Sequence, residues 1–237
     1  MPDKVHVSRS GNVFRVRLDD GKANTIEERW LNELSAALDE AEKTPQSAVL
    51  FEGRDGRFCA GLDLKVLPTL GKAKLVDFVR RYQRLMLRVF TLPRPVVCAV
   101  TGHAIAGGAI LALASDVRVM AEGEWQIGLR EVAIGIPLPT FGCELAKAVL
   151  PASSLTRAVL RGELFSPHVA LDVGFVDEVH AVENVREHGV KIAEAMARLP
   201  DMAFGRTKQM LRAEFVRRMQ EAEDRDIESL TATIPTS

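Results

Sequence analysis

The chain predicts an α/β core followed by a helical C-terminal extension. Three observations carry that expectation. Short apolar runs of strand length alternate with amphipathic helical patterns as far as about Val179, and beyond it only helical patterns follow. The 237 residues carry 47% hydrophobic and 27% charged residues at a net charge of −1, a composition that sustains one large core. No internal repeat or low-complexity run interrupts the pattern. The division expected is a core over 1–180 and a helical extension over 181–237.

The elements follow in order. Val5–Ser8 and Val13–Leu18 alternate apolar and polar residues around Gly11-Asn12, which reads as an antiparallel hairpin. Thr25 with Glu28 suggests a capping box, and Trp30, Leu31, Leu34, Ala37, Leu38 and Ala41 then recur at helical spacing. Ala48–Phe51 is a short apolar strand. Lys74–Phe90 is a second amphipathic helix with Leu75, Val79, Tyr82, Met86 and Val89 as its stripe. Pro95–Val100 and Val117–Met120 read as strands on either side of a small-residue helix, Ala109–Ala114. Helices are expected around Phe141–Val149, Ser153–Arg161, Val182–Leu199 and Ala203–Glu221, and Ser166-Pro167 opens another through Ala170.

Charge and cysteine usage exclude several classes. A near-neutral chain has no global field for nucleic acid or an anionic membrane, and neither partner is expected. Met1–Ser10 lacks an apolar stretch suited to a signal peptide or spanning helix, and Ile234–Ser237 carries no retention or lipidation signal. Cys59, Cys98 and Cys143 lie far apart, which suits a reducing compartment and argues against a disulfide framework or a zinc site. A cytoplasmic location and no metal are expected. Phosphate-loop, nucleophile-elbow and His-Glu-x-x-His patterns are absent from the sequence.

Three stretches carry candidate chemistry. Phe58-Cys59-Ala60-Gly61-Leu62-Asp63-Leu64 follows a strand and a polar loop, and Gly61 permits an unusual backbone angle where a helix can begin. Free N–H groups there would form an anion site, and a sterically required turn is the alternative. In Gly102-His103-Ala104-Ile105-Ala106-Gly107-Gly108, adjacent glycines open a helix, leaving free donors or simply allowing close helix–sheet packing. Two such donors aimed at one point would make an oxyanion hole. In Ile127-Gly128-Leu129-Arg130-Glu131-Val132, the carboxylate of Glu131 sits in an apolar run. There it is either a general base with a raised pKa, an ion-pair partner, or a surface residue. Glu144 is the rival second acid. His103 reads mainly as a supporting residue, Asp116 as a structural acid, and Arg80, Arg81, Arg84 and Arg88 as a basic face that meets solvent or a partner's acids.

Taken in order, Gly61-Leu62-Asp63-Leu64, Gly102-x-Ala104-x-x-Gly107-Gly108 and Ile127-Gly128-Leu129-x-Glu131 resemble the crotonase superfamily, the enoyl-CoA hydratase/isomerase group. The similarity runs from about Val13 to Val179. The resemblance implies a spiral of ββα units, an acyl-coenzyme A thioester as substrate, no further cofactor, and a homotrimer or hexamer. It implies oxyanion donors at the N–H groups of Leu62 and Gly107, with Glu131 as the catalytic base. Ala60, Gly61, Asp63, Leu64 and Gly108 would line the substrate, Ala23 more loosely, and Lys208 would reach a coenzyme A phosphate. Hydratases in this group carry two glutamates, and the first falls here at Ile110, so the chain is most similar to single-glutamate Δ3,Δ2-enoyl-CoA isomerases. One carboxylate suffices to move a proton between two carbons, whereas adding water needs a second polar group. Hydration, decarboxylation, thioester hydrolysis and non-catalytic acyl-CoA binding are the rival readings.

Overall fold

The computed structural model describes residues 3–234. The outer residues of both termini, Met1, Pro2 and Pro235–Ser237, on which the reading of terminal signals partly falls, lie outside them. β1 (Val5–Ser10) and β2 (Val13–Leu18) form the expected hairpin, antiparallel with Val5 opposite Leu18. β3 (Thr25–Ile26) and α1 (Glu28–Lys43) follow, then β4 (Ala48–Gly53), β5 (Gly56–Cys59), β6 (Gly61–Leu62) and α2 (Lys72–Thr91). β7 (Val96–Val100), β8 (Gly102–Ile105) and α3 (Gly107–Ala114) repeat the strand–strand–helix order. So do β9 (Val117–Ala121), β10 (Ile127–Gly128) and α4 (Thr140–Val149). α5 (Pro167–Asp172), β11 (Glu178–His180), α6 (Val185–Ala197) and α7 (Asp201–Thr233) complete the chain.

The sheet pattern turns this repeat into a spiral. β4, β7 and β9 are neighbours in a six-stranded sheet ordered β1-β2-β4-β7-β9-β11, while β5, β8 and β10 form a second sheet ordered β10-β8-β5. Each unit therefore places one strand in each sheet before its helix returns the chain, and every pairing except β1–β2 is parallel. Strands covered on both faces read as continuous apolar runs rather than alternating ones. In β4, Val49 and Phe51 face the main core, while Ala48 and Leu50 face α6 through Val185, Ala193 and Ala197.

The helical stripes of α1 and α2 are buried as the spacing predicts, and α2 adds Phe78, Gln83, Leu85 and Phe90. The basic face of α2 meets acids of the same chain. Arg80 and Arg84 pair with Glu223 on α7, Arg81 with Glu28, and Arg88 with Asp39 and Glu42 on α1. Ser166-Pro167 opens α5 as expected.

Three local expectations are corrected. Thr25 does not cap α1, because its pairing in β3 with β6 keeps it extended and its hydroxyl donates to Asp63 at 3.2 Å. The helix expected over Ser153–Arg161 is a π-turn at Thr156–Leu160 behind a short 3-10 turn, with Arg161 N–H reaching back to the Thr156 carbonyl. The last helix runs to Thr233 rather than Glu221. Its polar second half is held by tertiary contact: Asp226 is buried and accepts the Phe141 N–H at the start of α4 at 2.9 Å. Leu230 and Ile234 are buried beyond it. Among the described residues no helix is long and apolar enough to cross a membrane.

Candidate active site

The two glycine-bearing segments meet. Gly61 adopts φ +84°, in the left-handed region that side chains disfavour. A Cβ there would lie 2.9 Å from the Gly107 nitrogen and 2.9 Å from the Ile105 carbonyl oxygen. The sterically required turn is the reading the geometry supports, and it presses β6 against the start of α3. No helix begins at Gly61, as Leu62 continues strand β6 beside Ile26. Asp63 gives its N–H to the Ile26 carbonyl. Successive N–H groups of an extended strand point to opposite sides, so that of Leu62 faces away from β3. Gly107 is the first residue of α3, and its N–H has no acceptor within the helix. Ala106, just before it, is held at φ +50°, an uncommon angle for a residue with a side chain.

A cavity of about 240 Å³ opens at this junction, lined by Ala60, Leu62, Leu64, Gly107 and Glu131 among the residues singled out from sequence. Its remaining wall is almost wholly apolar, with Ile110, Ile134, Ile136, Leu138, Phe141 and, from the far end of α7, Leu230 and Ile234. Tyr82, Gln83 and Arg130 add polar groups. Ile110, the position at which the resemblance puts the first glutamate of hydratases, is 3% exposed and part of this wall.

Glu131 sits on the turn after β10, where its carbonyl accepts the N–H groups of Ile134 and Ile136. Its Oε2 is buried with no hydrogen-bond partner among the described residues. Burial pushes the carboxyl up to about 7, which leaves it both a proton acceptor and a proton donor near neutrality. Tyr82 Oη and Gln83 Nε2 are buried without partners as well.

The other predicted positions have different surroundings. Gly108 packs against β5: a Cβ on it would lie 2.1 Å from the Cys59 carbonyl oxygen, so close packing accounts for this glycine. Asp63 does not line the cavity, and its carboxylate instead accepts from the Thr25 hydroxyl and the Lys65 N–H. Ala23 is also outside the wall; its carbonyl accepts the Ala60 N–H. Lys208 is buried away from the cavity, where its Nζ donates to Asp116 at 2.8 Å and to the Arg94 carbonyl at 3.3 Å. Burial lowers Lys208 to about 8 against the pull of Asp116, which also pairs with Arg212. Within this chain Lys208 thus offers no free cation, and Asp116 is the structural acid expected.

Glu144 is buried and bonded to Lys147 and Arg218, each at 2.7 Å. Burial opposes its ionisation, but those two bonds outweigh it and hold the carboxyl below its ordinary value. It does not reach the cavity. His103 Nδ1 accepts the Gln126 N–H at 3.1 Å and the ring packs edge-on against Trp125. Among the described residues, Glu178, His180 and His188 have metal-compatible spacing, but they lie on β11 and α6, outside the cavity.

Sequence reasoning did not single out Tyr82 and Gln83 as site residues. The signal available was chemical: Tyr82 is the chain's single tyrosine, set with a glutamine in an otherwise apolar helical stripe. The Leu230 and Ile234 wall had no sequence signal, because it depends on α7 folding back over α4.

Comparison with known proteins agrees with this fold. Residues 8–237 match the enoyl-CoA hydratase/isomerase family, so the match extends through the C-terminal helices. The mouse mitochondrial enoyl-CoA delta isomerase 1 is 31% identical over 97% of this chain and 81% of its own length. A carnitinyl-CoA dehydratase from Salmonella typhi is 29% identical over 90% of this chain and 82% of its own. The crystal structure of human mitochondrial delta3-delta2-enoyl-CoA isomerase superposes with a TM-score of 0.93 at 28% identity, covering 98% of this chain and 92% of that one. On these grounds the chain belongs to the enoyl-CoA hydratase/isomerase family of enzymes, in the crotonase superfamily.

Proposed function

We propose that the protein shifts the double bond of a 3-enoyl-CoA to the 2-position. The observation that carries this reading is the carboxylate of Glu131, whose Oε2 has no partner among the described residues, in an apolar cavity lined by Ile110 where a second acid is absent. Glu131 takes a proton from C2, and the electron pair of that C–H bond passes toward the thioester oxygen as a dienolate. The N–H groups of Leu62 and Gly107 hold the charge on that oxygen. The same proton returns at C4, the double bond settles between C2 and C3, and no atom is gained or lost. Ala60 and Leu64 flank the thioester end of the substrate, and the Ile134–Phe141 wall with Leu230 and Ile234 receives the acyl chain. The chemistry needs no cofactor beyond the coenzyme A of the substrate. The similarity to a dehydratase makes hydration the rival reaction. Cys59, Cys98 and Cys143 are all free thiols, which supports a cytoplasmic location.

Purified protein given a 3-enoyl-CoA and a 2-enoyl-CoA in parallel is expected to isomerise the first much faster than it hydrates the second. The rate constant kcat/KM should rise with pH through about 7, because the base must be ionised and burial has raised Glu131 to that value. Hydration matching isomerisation would overturn the reading. A profile flat between pH 5.5 and 8.5 would remove Glu131 as the base.

Assembly is proposed as a homotrimer or hexamer. Met202, Met210 and Leu211 on the first half of α7 are 69%, 80% and 75% exposed, apolar side chains that this chain leaves uncovered. Sedimentation at micromolar concentration is expected to give a trimer or larger species, and a stable monomer would refute this.

A further inference from the structure

We propose that Tyr82 is a third hydrogen-bond donor to the substrate's thioester oxygen, beside the backbone N–H groups of Leu62 and Gly107. The assignment rests on the reading of those two groups as an oxyanion site and deepens it.

Position is the first argument. Tyr82 projects from α2 into the cavity wall, and its Oη lies 3.1 Å from where a Cβ of Gly107 would stand. Side chains of a helix tilt toward its N-terminus. The hydroxyl is therefore beside the open N-terminal end of α3, the end that presents free N–H groups and the positive pole of the helix dipole. An oxygen held by the Gly107 N–H lies within reach of that phenol.

Unmet bonding capacity is the second argument. Tyr82 is 6% exposed and its Oη has no partner among the described residues. A buried hydroxyl without a partner is costly, and a bound ligand that accepts its hydrogen bond removes the cost. Among the described residues, Glu131 Oε2 is the other buried side-chain oxygen of this cavity left unpartnered, and the two are not bonded to each other. A substrate in this cavity whose oxygen meets the phenol and whose C2 proton meets the carboxylate would give both groups a partner.

Protonation is consistent with donation. Burial, then the nearby Glu131, then Cys59 hold the phenol well above its ordinary value, so it keeps its proton throughout the working range. The donated hydrogen bond strengthens as negative charge develops on the oxygen, which places its effect on kcat rather than on ground-state binding.

The test uses Tyr82→Phe, which removes only the hydroxyl, and two readouts. A 2,4-dienoyl-CoA has a conjugated thioester whose absorption shifts to the red when donors pull on its carbonyl. Wild-type protein is expected to shift that band, and Tyr82→Phe to bind the probe with a clearly smaller shift. Isomerase kcat should fall about tenfold to hundredfold, the range for removal of one oxyanion donor or somewhat less, with affinity for a saturated acyl-CoA changed less than twofold. A full wild-type shift retained by Tyr82→Phe overturns the role of Tyr82 alone, whatever happens to the rate. A wild-type protein that binds the probe without any shift overturns the Leu62–Gly107 site and Tyr82 with it. A shift that depends on Tyr82 in a protein that does not isomerise keeps the donor and refutes only the proposed reaction.

Discussion

Glu131→Gln is expected to lower kcat about a hundredfold or more while leaving acyl-CoA binding within a few-fold of wild type, since an amide cannot take the C2 proton. The same change should not weaken the fold. Burial raises Glu131 from its ordinary 4.5 to about 7, so the folded protein holds this proton more tightly than the unfolded chain does. Sign and window follow from that difference: stability from this group is fully present below pH 4.5 and is lost as pH rises toward 7. Above pH 7 the ionised carboxylate costs the fold up to about 3 kcal/mol. A neutral amide of the same shape avoids that cost, so Tm at pH 8 should be equal to or higher than that of wild type. Near-normal turnover in the folded variant would refute the assignment of the base. Loss of both Tm and turnover at pH 8 would instead give Glu131 a structural role.

Gly61→Ala is expected to disrupt the site from a single added methyl. Two costs combine at this position. An L-residue at φ +84° loses about 1–2 kcal/mol against glycine. The new Cβ would also stand 2.9 Å from both the Gly107 nitrogen and the Ile105 carbonyl, which are backbone atoms that cannot swing aside. The contact is relieved only by separating β6 from α3, the two segments that carry the proposed Leu62 and Gly107 donors. A displacement near 1 Å at a reacting centre costs about a hundredfold in rate, and that fall in kcat is the expected result. Gly21→Ala is the matched control: φ is +73° and a Cβ there meets nothing within 4 Å. It should cost similar backbone energy and leave kcat unchanged. If both variants turn over normally, the donors are not held by this junction.

Local features were legible in the sequence because their causes are local. The buried stripe from Trp30 to Ala41 follows from the helix period, and Phe14, Val16 and Leu18 share one buried face of β2 as the strand period requires, with Val13 buried on the other. Gly61, Gly107 and Glu131 stood out because each breaks its surroundings chemically, and the structure brings all three to one junction. Reading failed where long-range contact competes with a local preference. Thr25 has the chemistry of a helix cap, but strand pairing with β6 and the carboxylate of Asp63 claim it first. Lys208 carries the charge suited to a phosphate, yet the crossing of α7 over Arg94 and Asp116 buries that charge in an internal pair.

By itself the sequence determined the alternating α/β core, the helical extension, the two glycine-bearing segments and the lone candidate base. These depend on residue periods and on backbone angles open only to glycine. Only the tertiary structure decided that Glu144 is spent on Lys147 and Arg218, that Leu230 and Ile234 close the cavity wall, and that Tyr82 has no hydroxyl partner among the described residues. The reason is physical. Whether a polar group is free or satisfied, and which apolar residues share a cavity, depends on neighbours far away in the chain, and no local pattern records them.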